Sequence, residues 1–380
     1  MKIHTLSYSD KKTGWKLEPI SFGELTLLVG ASGVGKTRIL QCILDLQSIS
    51  KGNTLDSIQW SICFSTKTGH KYQWEGEFSR AIHPSVHINI GEQYEAIIVR
   101  EKLRINNEII IDRSVDNIIF RGVKTVKLSP TESAIALLKE EYEIKEIHTE
   151  FDRIIFDNNA GSVKVVVDRF SREEEFDLKL AQYTSLQSIR ESSEAMRTKL
   201  YFTYINQRKE FDNIAELFID VFPYVEEIKV EALDPYENDV PAYLMDTPFI
   251  QIKEKGVDHW IDETCLSSGM HRTLLHIAEL YLCADSSLIL IDEFENSLGV
   301  NCIDELTNSI VSAGRDIQFI LTSHHPYIIN NISTKYWKLI ARKAGSVIAY
   351  DAEQFNFDKS KHKAFTQLMN LDLYAEGANA

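Results

Sequence analysis

Gly30, Gly35, Lys36 and Thr37 stand at the spacing G-x-x-x-x-G-K-[ST] in the stretch "GASGVGKT". Each residue type has a task there. The glycines, with Gly33 between them, let successive backbone N–H groups converge on phosphate oxygens without interference from a Cβ. Lys36 offers a point charge to the β- and γ-phosphates of a nucleoside triphosphate, and the Thr37 hydroxyl suits Mg²⁺. A helix beginning at that point adds its positive end. The chemistry is triphosphate binding, which alone does not say what work the nucleotide does.

Three further stretches carry groups that complement it. "SSLILIDEFENSL" is apolar from Leu288 to Ile291 and ends in Asp292-Glu293. A buried strand closing on two carboxylates needs positive charge beside it. Next to a phosphate loop, Asp292 suits the Mg²⁺ shell and Glu293 is placed to polarise an attacking water. "IQFILTSHHPYIIN" is apolar from Ile317 to Leu321 and closes on Thr322-Ser323-His324-His325-Pro326. His324 then falls at the C-terminal edge of a sheet, where open α/β sheets place ligand-contacting groups. "CLSSGMHRTLLHIAELYLC" has helical apolar spacing through Leu274, Leu275, Ala278, Leu280, Tyr281 and Leu282 but begins on Ser267-Ser268-Gly269. A helix N-terminus carries about half a positive charge, and small residues leave it open to an anion. A plain Ser N-cap accounts for Ser267 only.

The positioning elements follow from patterning. Leu25–Val29 reads as a strand into the loop, and Ile39, Leu40, Ile43 and Leu44 mark the apolar face of the helix after it. Across 57–78 and 95–122, alternating apolar and polar residues with turns at Thr68-Gly69 and Asn106-Asn107 predict an antiparallel meander. From Thr131 the period changes. Ile135, Leu138, Tyr142, Ile147, Phe151 and Ile154 predict one amphipathic helix, followed by a short strand in "SVKVVVDRF" and helices near 186–209 and 213–222. None sustains the heptads of a long coiled-coil arm, so residues 131–223 form a compact insertion serving either packing or partner recognition. A hairpin about Gly256 leads back to Ser267, and "GSVIAYDAEQ" supplies a late strand before a short helix near 363–370.

Composition bounds partners and compartment. A net charge of −15 disfavours nonspecific coating of DNA, which needs long-range attraction to phosphate. Arg190, Arg197, Lys199, Arg208 and Lys209 form a local basic run, expected to be a solvated helix face. Cys42, Cys63, Cys265, Cys283 and Cys302 lack CxxC spacing, which predicts buried, reduced thiols in a cytoplasmic protein. No apolar run has the length of a membrane span, and "MKIHTLSYSDKK" lacks the apolar core of a signal peptide.

In this order the motifs resemble ABC-type ATPases, specifically the soluble AAA branch related to SMC, RecF and OLD-type proteins. The matching parts are "GASGVGKT" as Walker A, "LSSGM" as the signature, "LILIDE" as Walker B, "FENSL" as a D-loop and "TSHHP" as an H-loop. They fall within about 1–66 and 242–349. The resemblance implies an α/β P-loop ATPase head, a mixed sheet with an antiparallel first lobe, and a mainly helical insertion. The lobes would be 1–130 and 224–380, with the insertion at 131–223. It implies ATP held by Gly30, Ser32, Gly33, Gly35, Lys36, Thr37 and Arg38, with Mg²⁺ on Thr37 and Asp292. Glu293 and His324 would be catalytic. A second copy would contribute Ser267, Ser268 and Gly269 to the γ-phosphate, so that ATP joins two chains head to tail.

The chain departs from the family pattern at Ser268, at Met270 and at Leu298-Gly299, which replaces the usual Leu-Asp ending of the D-loop. No Q-loop glutamine precedes the insertion, leaving a distant glutamine, Glu132 or Ser133 as its substitute. Proteins of this kind occur in bacterial anti-phage defence, so the leading expectation is an ATP-driven sensor that controls a separate nuclease or toxin. Its cue would be DNA or a phage protein, and no membrane would take part. The alternative is a RecF-like or SMC-like ATPase acting directly on DNA in repair or recombination.

Overall fold

Leu25–Val29, Leu288–Ile291 and Gln318–Thr322 are strands buried at every residue, as unbroken apolar runs must be when a parallel sheet is covered on both faces. They belong to a computed structural model that describes residues 1–80, 96–157, 173–232, 248–295, 315–358 and 360–375. The chain divides into two compact units. The first comprises residues 1–157, 286–294 and 316–380, and the second residues 158–285 and 295–315.

In chain order the strands are β1 (Lys2–Asp10), β2 (Trp15–Ser21), β3 (Leu25–Val29), β4 (Ile58–Ser65), β5 (Lys71–Arg80), β6 (Ala96–Ile105), β7 (Glu108–Ser114), β8 (Ile118–Phe120), β9 (Val123–Lys124) and β10 (Ile154–Asp157). They continue with β11 (Val225–Ala232), β12 (Pro248–Glu254), β13 (Ile261–Asp262), β14 (Leu288–Ile291), β15 (Gln318–Thr322), β16 (Trp337–Lys343) and β17 (Ser346–Asp351). The first unit holds one mixed sheet in the order β10-β14-β15-β3-β16-β17-β2-β1-β4-β5-β6-β7-β8-β9. From β10 to β16 the neighbours run parallel. From β2 to β9 they are antiparallel. The expected mixed sheet with an antiparallel lobe is thus present. Strict alternation in β4, with Ile58, Trp60, Ile62 and Phe64 buried, gives that lobe one packed face.

Helix α1 (Lys36–Ser50) lies on the core through Ile39, Leu40, Ile43 and Leu46. Tyr8 and Trp15 are buried in the same core, and the Tyr8 hydroxyl donates to Asp45 Oδ2 at 2.9 Å. The single helix expected over 135–154 is two helices, α2 (Ala134–Leu137) and α3 (Tyr142–Asp152), followed by β10. Ser133 caps α2, accepting from the Ala136 N–H, and Leu138 leaves helical geometry at its end. Where the insertion was expected to begin at 131, the chain stays in the first unit through Asp157. Ile135, Ile144, Ile147, Phe151 and Ile154 join its core. Phe151 packs edge-on against Phe64 and Trp74, with ring centroids 5.6 and 5.7 Å away.

The second unit holds the antiparallel sheet β11-β12-β13 and the helices α4 (Glu173–Gln182), α5 (Leu186–Glu191), α6 (Met196–Asn206), α7 (Arg208–Val221) and α8 (Ser268–Leu282). The helix expected over 186–209 divides because Ser192 is extended, its hydroxyl bonded back to the Ile189 carbonyl at 2.7 Å. The strand expected in "SVKVVVDRF" lies outside the described residues. Two compositional expectations are corrected. Cys265 is exposed rather than buried. The basic run is not one solvated face: Lys199 is buried, Arg190 and Arg197 are half-buried, and only Arg208 and Lys209 face solvent. No helix among the described residues is long and apolar enough to cross a membrane.

Two measurements check this arrangement. Phe151→Ala should destabilise the first unit by about 3–5 kcal/mol in urea unfolding, because a residue in an aromatic core leaves a cavity. A solvated insertion helix would lose far less. Burial lowers the Lys199 pKa from 10.5 to about 8. A lysine that holds its proton less firmly when folded adds stability as pH rises from about 8 towards 10.5. The unfolding midpoint of the wild type should therefore climb relative to Lys199→Met across that window; parallel profiles would contradict it.

Candidate nucleotide site

The phosphate loop leaves β3 and enters α1 as expected. Gly30 is required by crowding, since a Cβ there would stand 2.5 Å from the Ile340 carbonyl oxygen. Gly35 takes φ of 111° as the N-cap of α1, a region that disfavours side chains. Lys36 is buried, and its Nζ donates to the carbonyls of Gly30 and Ala31 at 2.8 and 2.9 Å. The ammonium is thereby held over the loop it would share with phosphate. Ser32, Gly33 and Thr37 are exposed. Arg38 turns its guanidinium over the Trp15 ring at 5.5 Å, with Asp10 3.7 Å away. Its contacts here are packing contacts.

Parallel pairing carries the remaining groups to the same edge. β14 lies beside β15, and β15 beside β3, so residues after Ile291, Thr322 and Val29 emerge together. The Thr37 hydroxyl donates to Asp292 Oδ1 at 3.0 Å, across 255 residues of sequence. The Thr322 hydroxyl donates to the same oxygen at 2.6 Å and accepts the Glu293 N–H at 2.8 Å. The Thr322 carbonyl accepts the N–H of Phe294, which is fully buried. Held at both sides, Glu293 adopts φ of 47° and is exposed. A side-chain residue in that left-handed region costs about 1–3 kcal/mol, comparable to the net worth of about 1.5–3 kcal/mol for a hydrogen bond to a charged group. The turn is thus fixed by Thr322, a residue whose place at the end of an apolar strand was its only signal in sequence. Of the two histidines, His325 caps the helix Pro326–Asn331, its Nδ1 accepting from the Tyr327 N–H at 3.3 Å. His324 is partly buried, two residues beyond the end of β15.

Glu132 and Ser133 are excluded as Q-loop substitutes by position. Ser133 is fully buried and donates to the Ile49 carbonyl at 2.8 Å. A Cβ on Gly52 would come within 3.2 Å of Glu132 Oε1. Both therefore sit at the C-terminal end of the 15-residue α1, about 20 Å from Lys36 along a helix rising 1.5 Å per residue. β10 is better placed, because Asp157 pairs with Ile291 and the chain leaves that strand beside Asp292. The residues that follow it lie outside the described ones.

The signature segment belongs to the second unit. Ser267 and Ser268 are exposed, and Gly269 is half-buried. Ser267 Oγ accepts the Met270 N–H at 3.2 Å, while Thr273 Oγ1 donates to the Gly269 carbonyl at 2.8 Å. Met270, where the family pattern carries glutamine, is buried with the Tyr224 hydroxyl 3.4 Å from its sulfur. It anchors the turn from below. Residues 296–298 of the D-loop lie outside the described residues. A separate polar cavity of about 360 Å³ lies on the antiparallel strands, lined by Ser7, Lys16, Gln59, Ser61, Arg100 and Asp112 among others. None of the residues from Gly30 to Arg38 lines it.

Comparison with known proteins fits this geometry. A family described as "AAA domain, putative AbiEii toxin, Type IV TA system" matches residues 25–330. The chain belongs to this family. No curated protein matches the AAA chain. Its fold is similar to an SMC head solved with the C-winged helix domain of ScpA, at 14% identity and TM-score 0.53 over 93% of this chain and 99% of that one. The Smc head with an extended coiled coil bound to the C-terminal domain of ScpA, from Pyrococcus furiosus, aligns at 13% identity and TM-score 0.45 over 93% and 97%. The SMC head from Thermotoga maritima aligns at 11% and 0.42 over 92% and 99%. The AAA chain is thus an ATPase-type domain with an SMC-head fold.

Thr322→Val in this domain removes both hydroxyl contacts while keeping volume. Turnover should fall by about 10–100-fold, with KM for ATP little changed, because a misplaced turn affects the reacting geometry more than binding. Steady-state kinetics showing wild-type kcat would end the positioning role of Thr322.

Proposed function

We propose that the chain binds ATP with Mg²⁺, hydrolyses it, and couples the nucleotide state to association of two copies. The observation that carries the chemistry is Thr37 Oγ1 donating to Asp292 Oδ1 at 3.0 Å. A hydroxyl and a carboxylate on one spot, beside Lys36 and the loop amides, form a set of oxygen ligands suited to Mg²⁺ on a triphosphate. When bound, the ion would be held by Thr37 and Asp292 and would supply positive charge against that developing on the phosphate. Gly30, Ser32, Gly33, Gly35 and Lys36 hold the phosphates. Glu293 projects from its strained turn to orient water, and His324 supports the γ-phosphate.

The exposed turn at Ser267–Gly269, open at the head of α8, supports a second role. In this reading the turn of one copy meets the γ-phosphate held by another, and loss of that phosphate removes the shared charge. ATP state then becomes assembly state. We assign the output to control of a separate effector, a toxin or nuclease, in bacterial anti-phage defence. The family description, which names a putative AbiEii toxin and a Type IV TA system, supports a place in a toxin–antitoxin system.

Glu293→Gln tests the chemistry. Turnover should drop at least about 100-fold, as for loss of a general base. The variant should remain dimeric in ATP by light scattering, and Lys36→Ala should stay monomeric. Wild-type turnover in Glu293→Gln would refute the role given to Glu293. Expression alone and beside its neighbouring genes, under phage challenge, tests the biological role: no difference in survival or growth would remove it.

A further inference from the structure

Three of the basic residues expected to face solvent, Arg190, Arg197 and Lys199, instead turn inward, and their targets are the two ends of the α8 segment. Arg197 of α6 places NH2 2.6 Å from Glu263 Oε1. Glu263 is fully buried, and its other oxygen accepts the Ile250 N–H at 3.2 Å. Burial raises the Glu263 pKa while the Arg197 charge opposes the rise. This pair fixes the chain four residues before Ser267. At the far end, Lys199 of the same helix donates to the Leu282 carbonyl at 3.5 Å and to the Arg190 carbonyl at 2.8 Å. Arg190 Nε donates to the Tyr281 carbonyl at 2.6 Å. Arg315 donates to the carbonyls of Leu280 and Cys283 at 2.8 and 2.9 Å, and to Asp285 Oδ1 at 2.6 Å. The last carbonyls of α8, which no further helical turn can satisfy, therefore all meet cationic side chains.

Three separate segments supply those cations, but only α6 reaches both ends. Simple C-capping accounts for one cation at the last turn. It does not account for Arg197, which leaves the same helix to hold a buried carboxylate ahead of the N-terminus. Removing either partner of such a pair strands an uncompensated charge, so the register of the turn is strongly specified.

We infer that α6 is the positioning element of the Ser267–Gly269 turn, with Arg197 and Lys199 as its two grips. Binding or modification at α6 would then alter the turn without touching the phosphate loop. The inference rests on the function proposed above for the turn, but its placement can be measured independently. Arg197 and Lys199 act through α8.

Full-length wild type, Arg197→Met, Lys199→Met and Arg197→Lys are compared by circular dichroism, hydrogen exchange, binding of a fluorescent ATP analogue and ATP turnover. Both methionine variants should keep the native spectrum and an analogue Kd within about twofold of wild type, because the Lys36 site is untouched. Exchange at residues 264–271 should accelerate and kcat should fall at least about tenfold, as for a displaced catalytic element. Arg197→Lys should recover most of both. Should Arg197→Met not fold, Glu263→Gln weakens the same pair with little change of volume and takes its place. Unchanged exchange at 264–271 overturns the inference, as does loss of analogue binding in step with kcat. If wild type neither turns over ATP nor dimerises, the proposed function fails, and the exchange data still decide the positioning role.

Discussion

One carboxylate oxygen organises the candidate nucleotide edge of the first unit. Asp292 Oδ1 receives hydroxyls from Thr37 at the head of α1 and from Thr322 at the end of β15. It directly follows β14, so a strand, a helix and a neighbouring strand meet at a single atom. Oxygen ligands gathered in this way match a hard divalent cation, which prefers carboxylate and hydroxyl donors. Because Thr322 also holds the Glu293 amide, moving Asp292 would move Glu293 with it. The two carboxylates are mechanically coupled.

The second unit follows a different logic. The chain carries a net charge of −15, yet four of its cations, Arg190, Arg197, Lys199 and Arg315, are withdrawn from solvent to satisfy a helix end and a buried carboxylate. Desolvating a lysine is unfavourable, which is why the Lys199 pKa falls to about 8. Such an arrangement persists where geometry is over-determined. Here four carbonyls and one carboxylate supply the compensation, and what they define is the axis of the helix that carries the Ser267–Gly269 turn.

Much of the site was legible from residue order. The loop from Gly30 to Thr37, the strand ending in Asp292-Glu293 and the turn before α8 all appear where patterning puts them, because each rests on local backbone constraints. What differs does so for one reason: partners from elsewhere in the fold. Apolar spacing runs unbroken across Leu138, where backbone geometry ends α2. The basic run carries charges that periodicity places on a surface, but Arg197 and Lys199 face Glu263 and the Leu282 carbonyl. Ser133 and Glu132 sit at the far end of a helix about 20 Å long. Thr322 is a strand terminus in sequence, and only the fold joins its hydroxyl to Asp292 and Glu293.

The sequence by itself determined the local parts of the candidate site: a glycine-rich loop with Lys36 and Thr37, a carboxylate pair and a small-residue helix start are written in residue types at short, sterically fixed spacings. Only the tertiary structure decided which hydroxyls converge on Asp292, which histidine is consumed as a cap, and where the cations of α5 and α6 point. Those choices depend on partners dozens to hundreds of residues away. Local periodicity records whether a side chain is apolar or charged, and cannot record what the folded chain will place opposite it.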